Sequence, residues 1–295
     1  MQEIDFGPIR FIPGPNRGKY PHCHSLFIPG DGILIDPGAD RRRLQRLREE
    51  NQVREIWLSH WHEDHWMHLD LFDDLPLRLH PADAPPLASL DAFLDAYGIS
   101  NPALRRDFAR TLETRFHFRR RLPRADLGDG LTLSLDSVTV DVIHTPGHTP
   151  GHLCFFFRQP AVLFLGDYDL TPFGPWYGDR DSSIPETIAS IERLRQIAAR
   201  TWLTSHETGV FTAPPDDLWD DYLAVIGQRE AKLGRFLTAP RRLEEIIDQW
   251  IVYRKAREPL DFFRFAEAAI IRKHLERMGQ VGIVRAEKDR FYIMA

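Results

Sequence analysis

The chain has 295 residues, 43% hydrophobic and 27% charged, with 38 basic side chains against 43 acidic ones for a net charge of −5. These are ordinary globular proportions, and the length suits one large domain with a substantial core plus an appendage. Two cysteines, Cys23 and Cys154, exclude a disulfide framework; the start Met1-Gln2-Glu3-Ile4 lacks the basic and apolar regions of a signal peptide, and no run reaches the ~18 apolar residues of a membrane helix, so a cytoplasmic location without a membrane partner is expected.

Ser25-Leu26-Phe27-Ile28 and Gly32-Ile33-Leu34-Ile35 read as consecutive strands joined by the turn Pro29-Gly30-Asp31. Residues 41–51, with Leu44 and Leu47 three apart, read as an amphipathic helix. Glu55-Ile56-Trp57-Leu58 is a short buried strand that runs straight into Ser59-His60-Trp61-His62-Glu63-Asp64-His65. Histidines two apart suit a loop at a strand end, where alternate side chains turn the same way, and Asp64 and His65 come from the turn that follows. A histidine-rich solvent loop would not follow apolar Ile56 and Leu58 or interleave Trp61 and Trp66, so this density reads as a metal site.

Leu77-Arg78-Leu79-His80 is a further strand, and from about 87 to 122 the apolar spacing turns helical through Leu90, Phe93, Leu94, Tyr97, Leu104, Phe108 and Leu112. This insertion suits a lid, a dimer contact or a cover on the sheet, and Arg119-Arg120-Arg121 suits an anion site or plain surface. Strands resume at 131–135, 138–143, 153–157 and 161–165, with Thr145-Pro146-Gly147-His148-Thr149-Pro150-Gly151-His152 between the middle two. After Asp167 an aromatic loop leaves the last of these strands, and Phe173, Trp176 and Tyr177 on it form a candidate substrate wall. A helix over 184–199 leads to the strand Thr201-Trp202-Leu203-Thr204. The strand-and-loop pattern stops near Ala213-Pro214-Pro215, which places a boundary between 1–213 and 214–295. Helices over 218–237, 242–253 and 262–278 then precede two short apolar runs, 281–284 and 291–294, around a charged turn.

His60, His62, Asp64 and His65 resemble the H-x-H-x-D-H motif of the metallo-β-lactamase superfamily. The Thr145 to His152 run resembles its third motif and offers His148, Leu163-Phe164-Leu165-Gly166-Asp167 its fourth, and Leu203-Thr204-Ser205-His206 its fifth. Ile33-Leu34-Ile35-Asp36-Pro37-Gly38 resembles the opening motif, in which the Asp supports the metal loop. All five stand in the family's order. The resemblance implies an α/β fold, a four-layer αββα sandwich, with one metal held by His60, His62 and His148, a second by Asp64, His65 and His206, and Asp167 between them. It implies two divalent transition-metal ions about 3.5–4 Å apart sharing a hydroxide, so that no protein nucleophile is needed. Zinc is the first choice, and iron or manganese also suits nitrogen and carboxylate donors. Asp64 and His152 are the catalytic candidates, His152 being expected behind the ligands, donating a hydrogen bond to one of them or to a substrate oxygen.

The sequence also departs from that pattern. Trp66 and Met67 stand where small residues are common, so they either narrow the site or pack a neighbouring helix, and the fifth motif lacks its usual preceding Pro-Gly and following Gly. The tail, helices with a terminal hairpin and His274-Leu275 in the last helix, resembles a smaller winged-helix-like domain.

The implied reaction is hydrolysis of a small ester, thioester or lactone. The alternative is an endoribonuclease or phosphodiesterase using the same ions, which a basic tail would favour: the last 72 residues hold more Lys and Arg than Asp and Glu, and Arg272, Lys273 and Arg277 share a helix face. Acidic residues interrupt that face, so a small-molecule partner is preferred to nucleic acid. A homodimer is left open. A non-catalytic binding protein is the weakest reading, because every ligand position holds a ligand-competent residue.

Overall fold

The computed structural model describes residues 1–294, so Ala295, the end of the expected tail, lies outside the described residues. The first part of the chain builds a mixed six-stranded sheet in the order β1-β2-β3-β4-β5-β6. β1 (Ile4–Phe6) and β2 (Ile9–Ile12) form a hairpin, the left-handed turn α1 (Pro15–Gly18) follows, and β3 (Ser25–Ile28) lies antiparallel between β2 and β4 (Ile33–Ile35). The chain then crosses through α2 (Arg41–Glu49) to the parallel strand β5 (Glu55–Trp57) and again to parallel β6 (Leu77–Arg78). Asp40 starts α2 by accepting the Arg43 amide, and Leu44 and Leu47 are its buried residues. β3 and β4 are buried along their whole length, which is why they read as nearly unbroken apolar runs.

The insertion folds as α3 (Ala84–Ala88), α4 (Leu90–Ala96) and α5 (Pro102–Thr114), the last two capped by the Ser89 and Asn101 side chains. Trp66 lies edge-on against Phe93, Phe116 and Phe118, so the large residue after the ligand motif fastens the insertion to the sheet and does not narrow the metal site. The second sheet has the order β12-β11-β10-β9-β8-β7. Its strands are β7 (Thr132–Ser134), β8 (Thr139–His144), β9 (Leu153–Phe157) and β10 (Val162–Phe164), then, after α6 (Ile184–Arg195), β11 (Thr201–Leu203) and β12 (Val210–Phe211). The two sheets meet through Phe11, Leu26, Ile35 and Trp57 of the first and Val140, Phe155, Phe164 and Leu203 of the second. α2 and the insertion cover the outer face of the first sheet, while α6 and α7 (Asp216–Phe236) cover that of the second, giving helix, sheet, sheet, helix.

After α7 come β13 (Arg241–Arg242), α8 (Leu243–Ile247), α9 (Leu260–Gln280), β14 (Val284–Glu287) and β15 (Arg290–Ile293), with the three strands antiparallel in the order β13-β15-β14. The helix expected over 242–253 ends early, at Ile247. Trp250 takes a left-handed φ of 49°, and the Val252 and Tyr253 amides donate to the buried Glu267 carboxylate on α9, which replaces their helical partners. The core of this tail, including Ile226, Leu233, Ile270 and Leu275, also takes in Tyr177 and Ile184. Arg229 of α7 donates to the Phe173 carbonyl and the Tyr177 hydroxyl, so the tail is packed onto the loop that follows β10. Lys273 donates to the Arg180 carbonyl and Arg277 pairs with Glu230, which engages two of the three basic residues considered for phosphate contact. Arg119 and Arg121 both pair with Asp73. Among the described residues no helix is long and apolar enough to cross a membrane.

Candidate metal centre

Strand ends deliver the site. β4 hands over to Asp36, β5 to the 59–66 loop, β10 to Asp167 and β11 to His206, while the loop between β8 and β9 brings His148. β4 and β5 run parallel, as do β10 and β11, so these residues emerge at carboxyl ends of strands, the usual place for sites in α/β sheets. Glycines allow the loops to meet. A Cβ on Gly38 would stand 1.9 Å from the Asp64 carbonyl oxygen, and one on Gly147, whose φ is 124°, would stand 2.2 Å from the Thr187 amide nitrogen.

Three ring nitrogens converge. His60 Nε2 lies 3.0 Å from His62 Nδ1, and His148 Nε2 lies 3.1 Å from the first and 3.0 Å from the second. Zn–N bonds of about 2.0–2.1 Å in a tetrahedron would set such nitrogens about 3.3 Å apart. On the other side His206 Nε2 stands 3.5 Å from Asp64 and His65 Nε2 stands 3.9 Å from it. The Asp167 carboxylate lies between: Oδ1 is 2.9 Å from His65 and 3.2 Å from His206, and Oδ2 is 3.3 Å from His148. His65 Nε2 and Asp167 Oδ1 are buried without a hydrogen bond of their own. Buried polar atoms are rarely left so, and nitrogens aimed at one another repel unless a cation or proton joins them, so the residues fit a pair of metal ions.

Each histidine is also fixed from behind, which sets the ring nitrogen left for the cluster. His60 Nδ1 meets the Ser59 hydroxyl, His62 Nε2 donates to Asp179 at 2.8 Å, His148 Nδ1 donates to the Trp176 carbonyl, and His206 Nδ1 donates to the Gly18 carbonyl. His65 Nδ1 donates to Asp36 at 3.0 Å, and Asp36 also accepts the Ser59 amide and hydroxyl, so this one carboxylate orients the ligand loop. Burial opposes a charge on His62 and His206, yet Asp179 raises the first to about 9, and Asp167 with Asp169 raises the second to about 10. Burial equally opposes ionisation of Asp167, but His65, His206 and His60 hold its carboxyl well below the usual range. Without an ion, protons on histidine balance carboxylate charge here, and a cation must displace them.

Asp179, 117 residues from His62, gave no sequence signal. Asp169 stands two places beyond Asp167, and its carboxylate accepts the His206 amide and could also join a cluster with Asp167 and His206. Glu63, visible inside the first motif but given no role, is a buried carboxylate that accepts the hydroxyls of Tyr20 at 2.8 Å and Tyr97 at 2.6 Å. Asp83 receives the Thr149 hydroxyl and the Gly151 amide and so pins the loop that carries His148; burial pushes its carboxyl up to about 7.

The rim opens into a cavity of about 510 Å³, bordered by His62, Asp64, His148, Asp167 and His206. That lies within the about 300–1,000 Å³ of small-molecule sites. Of the expected wall residues Trp176 lines this cavity. Phe173 does not, because it lies under Arg229 beside a neighbouring hollow, and Tyr177 is fully buried with its hydroxyl on His274 and Arg229. Both fasten the tail. His152 needs a similar correction: its Nε2 accepts the Asp167 amide and its Nδ1 meets the Thr145 hydroxyl, so neither nitrogen is left to reach substrate, and the ring props up the Asp167 backbone. The apolar wall comes largely from regions without motifs, including Tyr97, Leu104 and Phe108 of the insertion and Phe262 and Phe263 of α9.

Residues 21–224 match the family described as the metallo-beta-lactamase superfamily. In structure the chain is similar to a metallo-beta-lactamase family protein from Thermus thermophilus, with a TM-score of 0.74 and 21% identity over 97% of this chain and 99% of that one. It is also similar to a beta-lactamase domain protein from Burkholderia ambifaria, with a TM-score of 0.69 and 16% identity over 99% of this chain and 94% of that one. These likenesses are of fold. In sequence the chain is 24% identical over 242 residues to an atrochrysone carboxyl ACP thioesterase of Emericella nidulans, covering 80% of this chain and 64% of that protein. It is 38% identical over 86 residues to a hydroxyacylglutathione hydrolase of Methylococcus capsulatus, covering 28% of this chain and 32% of that protein. The chain spans about half the length of the curated relatives it matches.

Proposed function

This chain belongs to the metallo-beta-lactamase superfamily, and from that premise we propose that it is a hydrolase of small thioesters or esters, lactones included, that works with two divalent metal ions. The observation that carries this reading is the convergence of five imidazoles, each fixed through its outer nitrogen, with Asp167 between them and a small-molecule cavity above. His60, His62 and His148 would hold one ion, Asp64, His65 and His206 the other, and Asp167 both. When bound, the ions supply Lewis acidity, acidifying water and stabilising negative charge on a carbonyl oxygen. The chain's own residues then do the positioning. Asp64 faces both the second cluster and the cavity, where its carboxylate can orient the reacting water and take its proton. Asp36, Asp179 and the Trp176 carbonyl keep the rings aimed, and Trp176 lends a flat apolar surface beside the reacting group. Zinc, iron and manganese all suit these donors, with zinc the first to test.

The named activities of the two curated relatives, both on thioesters or acyl carriers, support placing thioesters first. In this reading residues 1–213 are the catalytic domain and 214–295 a winged-helix-like module that shapes the cavity mouth instead of reading nucleic acid, because Lys273 and Arg277 already have partners within the protein. Elemental analysis of the purified protein should give about two transition-metal ions per chain, and chelation should abolish thioester hydrolysis until metal is restored. Full activity with one ion or none would defeat the dinuclear reading.

A further inference from the structure

Two helices that carry no candidate ligand border the cavity above the metal rim. α5 contributes Leu104 and Phe108, and α9 contributes Phe262 and Phe263; all four are only half-buried and leave apolar surface open to the cavity. A substrate here must present a polar reacting group to the rim and an apolar body to these helices. At the same mouth stands Arg257. Its guanidinium lies 5.6 Å from the Tyr253 ring and 5.9 Å from the Phe263 ring, so two aromatic faces hold it in place without neutralising it. Lys19, on the same cavity, has its ammonium 3.1 Å from Glu207. Among the described residues no carboxylate pairs with Arg257, which leaves its planar fork of donors available to an anion.

We infer that the substrate is an anionic acyl ester or thioester whose apolar body lies along α5 and α9 against Phe108 and Phe262 while a carboxylate or phosphate on it pairs with Arg257. The inference rests on the hydrolase reading for the reacting group, but recognition is separable from turnover. The test is calorimetric titration of the metal-loaded protein with a non-hydrolysable thioether, 3-(2-phenylethylsulfanyl)propanoate, its phosphonate counterpart and its neutral amide. The anions should bind about tenfold or more tightly than the amide, the size of one charge-assisted hydrogen bond. Arg257→Gln, at an exposed position, should bring the anions down to the affinity of the amide, and whichever anion loses more identifies the preferred group. Phe108→Ala and Phe262→Ala should weaken all three probes several-fold. Equal binding of anions and amide by the unaltered protein overturns the inference, as does an anion preference that survives Arg257→Gln, since the anion would then sit on the metals. Acetyl and phenylacetyl thioesters of 3-mercaptopropionate complete the test. Absence of turnover with the calorimetric pattern intact defeats the hydrolase reading alone, whereas turnover of both without the anion preference defeats the recognition alone.

Discussion

The floor of the cavity and its wall are built by different rules. Floor residues lie in short loops after β5, β8, β10 and β11, are almost wholly enclosed, and have their outer atoms tied to Ser59, Asp36, Asp179 or a backbone carbonyl. Wall residues come from α5 and α9, which are far apart in sequence, keep half-open apolar side chains and make few polar contacts. The contrast teaches that chemistry and selectivity are separable here. The floor must hold charge to within a fraction of an ångström, whereas the wall needs only volume and hydrophobicity, so it tolerates change that the floor does not.

Removing Asp167 is the strongest way to break the floor. Its two oxygens reach both halves of the cluster, so Asp167→Ala should lose both ions and nearly all activity, by more than the about 10–100-fold that supporting partners produce. Phe108→Ala, on the wall, should keep its metal. Elemental analysis of the two variants makes the comparison, and an Asp167→Ala protein that retains both ions would show that this carboxylate does not bridge.

Acidity sharpens the same contrast. In the metal-free protein burial opposes a charge on His62, His65 and His206, yet neighbouring carboxylates raise His62 to about 9, His206 to about 10 and His65 well above the usual imidazole range, so protons on these rings must leave as the ions bind. Metal affinity should therefore rise with pH toward those values, and fall by up to about tenfold per unit for each expelled proton as pH drops below them. Competition with a chelator at pH 7, 8 and 9 measures the slope. A flat response would mean that these rings are neutral before metal arrives.

Asp36 should give the next smaller effect. Asp36→Asn keeps the shape but cannot serve the His65 ring and the Ser59 amide and hydroxyl as one charged acceptor, so metal affinity should fall about 10–100-fold while the fully loaded protein turns over almost normally. Normal metal retention with a purely lowered turnover number would place Asp36 in the chemistry instead.

The 59–65 loop was legible from its residues alone, because His60, His62, Asp64 and His65 crowd together after a buried strand, whereas Asp167 and His206, each at the end of an apolar run, were marked only by the family resemblance, and the structure brings them to the same cluster. The wall was not legible. The residue types at Leu104 and Phe262 look like any helix face, and only the tertiary fold decides which side of a helix meets a cavity. The same limit explains Phe173 and Tyr177, whose aromatic loop does leave the metal rim but turns into the tail's core under Arg229. His148 and His152 fall on the expected sides of the cluster, but that His152 accepts the Asp167 amide instead of donating to a ligand or substrate depends on the backbone path after β10, which the repeated Gly-His step does not encode.

The smallest effect should come where floor and wall touch. Glu63 lies between His62 and Asp64, and its carboxylate accepts one hydroxyl from Tyr97 on the insertion and one from Tyr20. Tyr97→Phe removes one partner from a buried acceptor, which costs about 1–3 kcal/mol, and Tyr20 remains to satisfy the other oxygen. Stability in a denaturant titration should fall by that amount while metal content stays at its original value. Turnover of a small acetyl thioester should change little, and the KM of a bulky one should rise, because Tyr97 helps to seat the insertion beside the cavity. If Tyr97→Phe instead loses metal, the wall positions the floor through Glu63, and the two regions are not independently built.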